Sequence, residues 1–175
     1  MTIRIPVKFL LFLSISFLFS CKSEKQKLAE QITANEGKLF NDSTKMLNAA
    51  VANDELAAYQ KFVSRFPADT SSPGYLFKAA DLAGGMHRPR EAARMYKELI
   101  SKYPDYSKLA TCYFLLAFVY DNDIKQKDTA KIYYREFLEK FPTHQFAPSA
   151  KASLDQIEMG LSDEDLVKMF EARLD

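Results

Sequence analysis

Apolar residues along the chain recur three and four positions apart, and no segment alternates apolar and polar with a period of two, so the pattern predicts helices and no strands. Met46, Leu47, Ala50, Val51, Leu56, Tyr59, Phe62, Val63 and Phe66 mark one long helix, or two short ones broken near Asn53-Asp54. Prolines punctuate the rest of the chain. Pro67, Pro104 and Pro142 each stand behind an aromatic residue at the end of a helical pattern, where a proline cannot continue the helix. Pro73, Pro89 and Pro148 stand at the start of the next pattern, where a missing N–H leaves nothing unpaired. Ser72 is a good N-cap for the helix beginning at Pro73, and Gly84-Gly85 makes the turn to the helix after it.

The pattern repeats. Tyr59, Phe62, Val63, Phe66 and Pro67 return as Tyr96, Leu99, Ile100, Tyr103 and Pro104, then as Tyr134, Phe137, Leu138, Phe141 and Pro142, at offsets of 37 and 38 residues. The helix ahead of each block repeats too: Tyr75, Ala79 and Leu82 return as Tyr113, Ala117 and Tyr120, and Ala92 returns as Ala130. Small residues at these positions let two helices approach closely, while the aromatics fill the space between successive hairpins.

These residues resemble the tetratricopeptide repeat: a large aromatic, a leucine, a small residue and a tyrosine on the first helix, then an alanine, an aromatic and a terminal proline on the second. The second full copy follows this as Tyr113, Leu116, Ala117, Tyr120, Ala130, Tyr134 and Pro142; in the first, Lys78 replaces the leucine. The long period, with an aromatic before the proline, is similar to that of periplasmic tetratricopeptide lipoproteins, including those of the outer-membrane β-barrel assembly machine and the Tol-Pal system. The ending resembles small tetratricopeptide lipoproteins of the Bacteroidetes type. The resemblance implies an all-α, short helical-hairpin superhelix over residues 42–158. It comprises two complete hairpins, a partial repeat before them and a capping region after. A C-terminal amphipathic helix at 159–175 carries Leu166, Val167, Phe170 and Leu174 on one face, with Ser162 as its N-cap and Gly160 closing the helix before it.

The resemblance also places a binding groove on the first helix of each hairpin, at Leu76, Ala80 and Ala83 in one copy and Phe114, Phe118 and Asp121 in the next. Phe114 and Phe118 share a helical face and would anchor a peptide. The same spacing also suits burial against helix 147–158, or under the Leu166, Phe170 and Leu174 stripe.

The first twenty residues stand apart from the fold. Arg4 and Lys8 precede the apolar run Phe9–Ser20, too short for a permanent membrane span and suited to a signal peptide. The run ends at Leu18-Phe19-Ser20-Cys21, which resembles the lipobox of bacterial lipoproteins, with Phe19 in place of the usual small or branched residue. That resemblance implies removal of residues 1–20, a diacylglyceryl group on Cys21, a polar tether at 21–41, and anchoring to the outer membrane. Lys22-Ser23-Glu24 lacks a run of acids after the cysteine, which favours the periplasmic face. The polar residues behind Cys21 allow a short helix within the tether, for which Thr33 and Glu36 have capping-box spacing that Gly37 weakens, and the folded body is expected to begin at Asp42 or Ser43.

Composition narrows the function. With 47% apolar and 27% charged residues the chain is globular, and its formal charge of +1 gives no basic excess for a nucleic acid. Removing residues 1–20 takes two bases and no acid, leaving 22 basic against 23 acidic residues. Two histidines and two cysteines make neither a zinc set nor a disulfide framework. His87 and His144 fall in loops, and Cys112 lies in an apolar helical run as a buried thiol. Gly84-Gly85 lacks the lysine and hydroxyl of a phosphate loop, and Asp121-Asn122-Asp123 and Asp163-Glu164-Asp165 lack the ligand alternation of a calcium loop. No catalytic residue, metal, cofactor or small-molecule substrate is expected. The reading is a non-enzymatic interaction scaffold that binds a protein or peptide. The alternatives are an accessory component of a β-barrel assembly complex and a regulatory subunit of a peptidoglycan- or glycan-processing complex.

Overall fold

The computed structural model describes residues 22–40 and 46–160, and Asp165, Val167, Lys168 and Ala172 beyond them. The signal run, Cys21, the expected start at Asp42 or Ser43, and the stripe residues Leu166, Phe170 and Leu174 lie outside the described residues. Among those described, seven α-helices follow one another: α1 Glu24–Glu36, α2 Ala49–Arg65, α3 Ser72–Gly85, α4 Pro89–Lys102, α5 Leu109–Phe118, α6 Lys127–Lys140 and α7 Ala147–Met159. A short π-helical segment, Val119–Asp123, extends α5. Each helix packs on the one before and the one after, so the chain is a short all-α helical-repeat solenoid.

The links between hairpins repeat almost atom for atom. Phe66, Tyr103 and Phe141 close α2, α4 and α6 with nearly equal backbone angles (φ −131°, −129° and −134°), each pushed out of the helical region by the proline next in the chain. Each donates its N–H to the carbonyl four residues back, on Phe62, Leu99 and Phe137. The next turn is set by Asp69, Tyr106 and His144, whose N–H groups donate to those same aromatic residues' carbonyls. Ser72 does not act as the N-cap: it lies inside α3, and its buried hydroxyl donates 2.6 Å to the Phe66 carbonyl, tying the link together.

α2 is a single helix, unbroken at Asn53-Asp54, because the Asn53 amide donates back to the Ala49 carbonyl at 2.7 Å rather than competing for the helical bonds. It starts at Ala49, with the Asn48 side chain accepting from the Val51 N–H. Met46 and Leu47 precede it, and Leu47 makes an isolated bridge to Phe40.

The expected tether is the largest departure. Residues 24–36 form a helix docked on α2, with Leu28 and Ile32 buried in the same core as Leu56, Tyr59 and Phe62. Its capping box is Ser23 with Gln26, not Thr33 with Glu36: the Thr33 hydroxyl instead donates to the Ala29 carbonyl within the helix. Glu24 pairs with Arg65 at 3.1 Å and Lys25 pairs with Asp69, holding the start of α1 to the end of α2. The helices thus pair as three hairpins, α1/α2, α3/α4 and α5/α6, with α7 after them.

Two core clusters hold the molecule. The larger runs from Leu28 on α1 to Val119 in the π segment, and the smaller joins Tyr113, Ala117, Ala130, Tyr134, Phe137, Ala147, Ala150 and Leu154. Ile100, Leu109, Tyr120 and Tyr133 touch both, so the clusters are continuous. At this seam Tyr120 stacks on Tyr133 at 5.7 Å, and the Lys97 ammonium lies over the Tyr120 ring.

Candidate interaction surfaces

Each hairpin carries one buried tyrosine that donates to a carboxylate. Tyr59 donates to Glu36 at 2.6 Å, Tyr96 to Asp81, and Tyr134 to Asp121 at 3.4 Å. Burial and the facing acid raise the pKa of all three hydroxyls, that of Tyr134 to about 12, so they remain protonated donors. The acids come from different positions of their helices. Asp121 is drawn inward by the π segment, which rotates it toward the Lys127 ammonium and the Tyr134 hydroxyl.

The expected groove therefore needs correction. Leu76, Ala80 and Ala83 are buried in the larger core, and Asp121 is buried between Lys127 and Tyr134, so these four present almost no side-chain surface to a ligand. The small residues at Ala80 and Ala83 serve close helix packing within the core. Phe114 and Phe118 share a face as expected, but their surroundings differ. Phe114 is half-buried, stacked on Phe146 at 4.7 Å and close to Phe137 and Tyr134. Phe118 is 43% exposed, with its ring centroid 6.4 Å from that of Phe114. What the structure leaves open is an aromatic edge at the end of α5.

A second surface is lined by none of the site residues expected from the sequence. A cavity of about 470 Å³ opens where the end of α1 meets α3. Leu39, Phe40, Leu47 and Leu82 form apolar walls, while Glu36, Tyr59, Lys78 and Asp81 supply polar groups, and Gly85 completes the lining. Lys78, Asp81, Leu82 and Gly85 share one face of α3. Lys78, which occupies the repeat position held by Leu116 in the next hairpin, reaches Glu36 at 2.6 Å. Burial pushes the Glu36 carboxyl up, and the hydrogen bonds from Lys78 and Tyr59 outweigh it, leaving its pKa below the ordinary value. Behind these groups the Glu55 carboxyl is fully buried, beside the Tyr59 hydroxyl and the Asn35 amide, and burial raises its pKa. The one signal in the sequence was the lysine at a leucine position.

Cys112 is buried, and burial lifts its thiol to about 12, so it is no nucleophile at neutral pH. His144 packs edge-on to Phe137, and its Nδ1 accepts the Phe146 N–H at 3.2 Å. Among the described residues, no three His, Cys, Asp or Glu side chains are grouped to hold a metal ion, and no helix is long and apolar enough to cross a membrane.

Comparison with curated proteins gives no match. Residues 75–106 and 108–144 each match the tetratricopeptide repeat family, the first stretch covering most of α3/α4 and the second all of α5/α6. The match stops short of α1/α2, although that hairpin packs in the same way. Repeats of this family are characteristic of protein-interaction scaffolds, and residues 75–106 and 108–144 are similar to two of them, side by side within a short helical solenoid.

Proposed function

We propose that the chain is a non-enzymatic adaptor, fixed by lipid on Cys21 to the periplasmic face of the outer membrane, that captures a protein or peptide at the aromatic edge of α5. The observation that carries this reading is Phe118, a large aromatic left 43% exposed beside the half-buried Phe114 on a scaffold of interaction repeats. A side chain so exposed contributes little to the core, which makes it a position where binding and stability can be separated. Phe118→Asp is expected to leave the melting temperature within a few degrees of wild type and to abolish recovery of the cross-linked partner from the native membrane. Retention of both the melting temperature and the partner would overturn the aromatic-edge reading.

Anchoring has its own test. Cys21→Ser is expected to leave the protein unprocessed, or cleaved and soluble on membrane fractionation, since stable attachment requires the acyl chains on that sulfur. A mutant that is cleaved and still firmly membrane-bound would refute the lipid anchor.

A further inference from the structure

The cavity between the end of α1 and α3 has the features of a small-ligand site: a volume of about 470 Å³, apolar walls and a few convergent polar groups. Its charges are unbalanced. Glu36 and Asp81 line it and Glu55 lies behind them, whereas Lys78 is the one cation among the described residues that line it. The Lys78 ammonium is already engaged, 2.6 Å from Glu36 Oε1. An incoming anion would meet a lysine whose charge is matched, and would face Asp81 with Glu55 near by. An incoming cation would find the Asp81 carboxylate, which accepts from Tyr96 and has no ion-pair partner among the described residues, at the polar end and leucine and phenylalanine side chains along its length.

We propose that this cavity binds a small organic ammonium ion carried on an apolar body. The proposal concerns a different face from the aromatic edge of α5 and does not rest on it. The ammonium sits toward Asp81 and Glu36, and the apolar body lies against Leu39, Leu47 and Leu82.

Phenethylamine, 2-phenylethanol and 3-phenylpropanoate are suitable probes, since they share a ring and linker of similar size and differ in the charge of the head group. Isothermal titration calorimetry on the full chain in detergent, with the heat of each probe titrated into detergent alone subtracted, reads the binding. Saturable binding of phenethylamine is expected, at least tenfold tighter than that of the alcohol or the acid. Two variants locate it. Gly85 lines the cavity, and a Cβ added there meets nothing within 4 Å beyond its own helix, so Gly85→Leu is expected to block binding while leaving the fold intact. Asp81→Asn can still accept from Tyr96 but removes a charge, and is expected to erase the preference for the amine over the alcohol. Equal binding of all three probes, tighter binding of the acid, no saturable binding, or undiminished amine binding in Gly85→Leu would each overturn the proposal. Should Gly85→Leu lose its helical circular dichroism, the Asp81→Asn preference decides alone.

Discussion

Glu55 sits under α1 with no exposed surface, and neither carboxylate oxygen makes a well-aligned hydrogen bond, although Asn35 and Tyr59 lie beside it. Desolvation raises its pKa; the Glu36 charge adds to the rise, and Lys78 opposes it. Glu36 responds in the other direction, its pKa lowered by Lys78 and Tyr59 against the effect of burial. The consequences for stability have opposite signs. A raised carboxyl contributes stability that is full below the ordinary value of 4.5 and is lost as pH climbs through the raised value. A lowered one contributes stability above 4.5 that is lost as pH falls. Thermal midpoints measured from pH 3 to pH 8 should therefore fall on both sides of this region, and Glu55→Gln should remove the fall on the alkaline side while keeping the acid one. At Ala117, fully buried in the cluster that includes Ala130 and Tyr134, volume decides. Ala117→Leu overpacks this contact and should destabilise the protein by about 1–3 kcal/mol, read as a lower midpoint in urea. An unchanged midpoint would mean the helices do not meet there.

Most of the elements could be read from the sequence because proline and aromatic side chains act locally. Pro67, Pro104 and Pro142 exclude the preceding aromatic from the helix, and the three closing residues Phe66, Tyr103 and Phe141 adopt the same backbone in consequence. α1 escaped for the opposite reason. Leu28 and Ile32 are its two buried residues, the rest of its 13 residues are mostly polar, and what makes it part of the fold is contact with α2 far along the chain. The groove was misplaced by a similar non-local effect. Spacing alone puts Leu76, Ala80 and Ala83 on the same kind of face as Phe114 and Phe118, but whether a neighbour covers that face depends on how the helices stack. Pattern also gave no sign that the π segment would carry Asp121 inward. If α1 is a structural helix, truncating its anchor should be costly: Ile32→Ala should destabilise the protein by about 2–5 kcal/mol in urea denaturation, whereas a residue on a free tether would change nothing.

A solenoid distributes stability by neighbour count, since each hairpin contacts only those beside it. Here α3 and α4 are flanked on both sides, by α2 and α5, and they supply the centre of the larger core through Leu76, Ala79, Met95 and Leu99. α1 touches the body mainly through α2, and α7 mainly through α6. The end helices differ in what reinforces them. α1 has two ion pairs to the end of α2 and its neighbourhood, Glu24–Arg65 and Lys25–Asp69, and a third from Glu36 to Lys78. α7 has one to α6, Arg135–Glu158 at 2.6 Å, and is otherwise held by Ala147, Ala150 and Leu154. Exposed pairs of this kind are each worth under about 1 kcal/mol and are screened by salt, so they cannot make an end as stable as the middle. Amide hydrogen exchange read by mass spectrometry should therefore show a gradient, slowest in α3 and α4 and faster toward α1 and α7. Adding 0.5 M sodium chloride should speed exchange in α1 more than in α4, because α1 leans on surface charges and α4 on buried side chains. Uniform exchange across all seven helices would show instead that the molecule opens as one unit, and that neighbour count does not set its local stability.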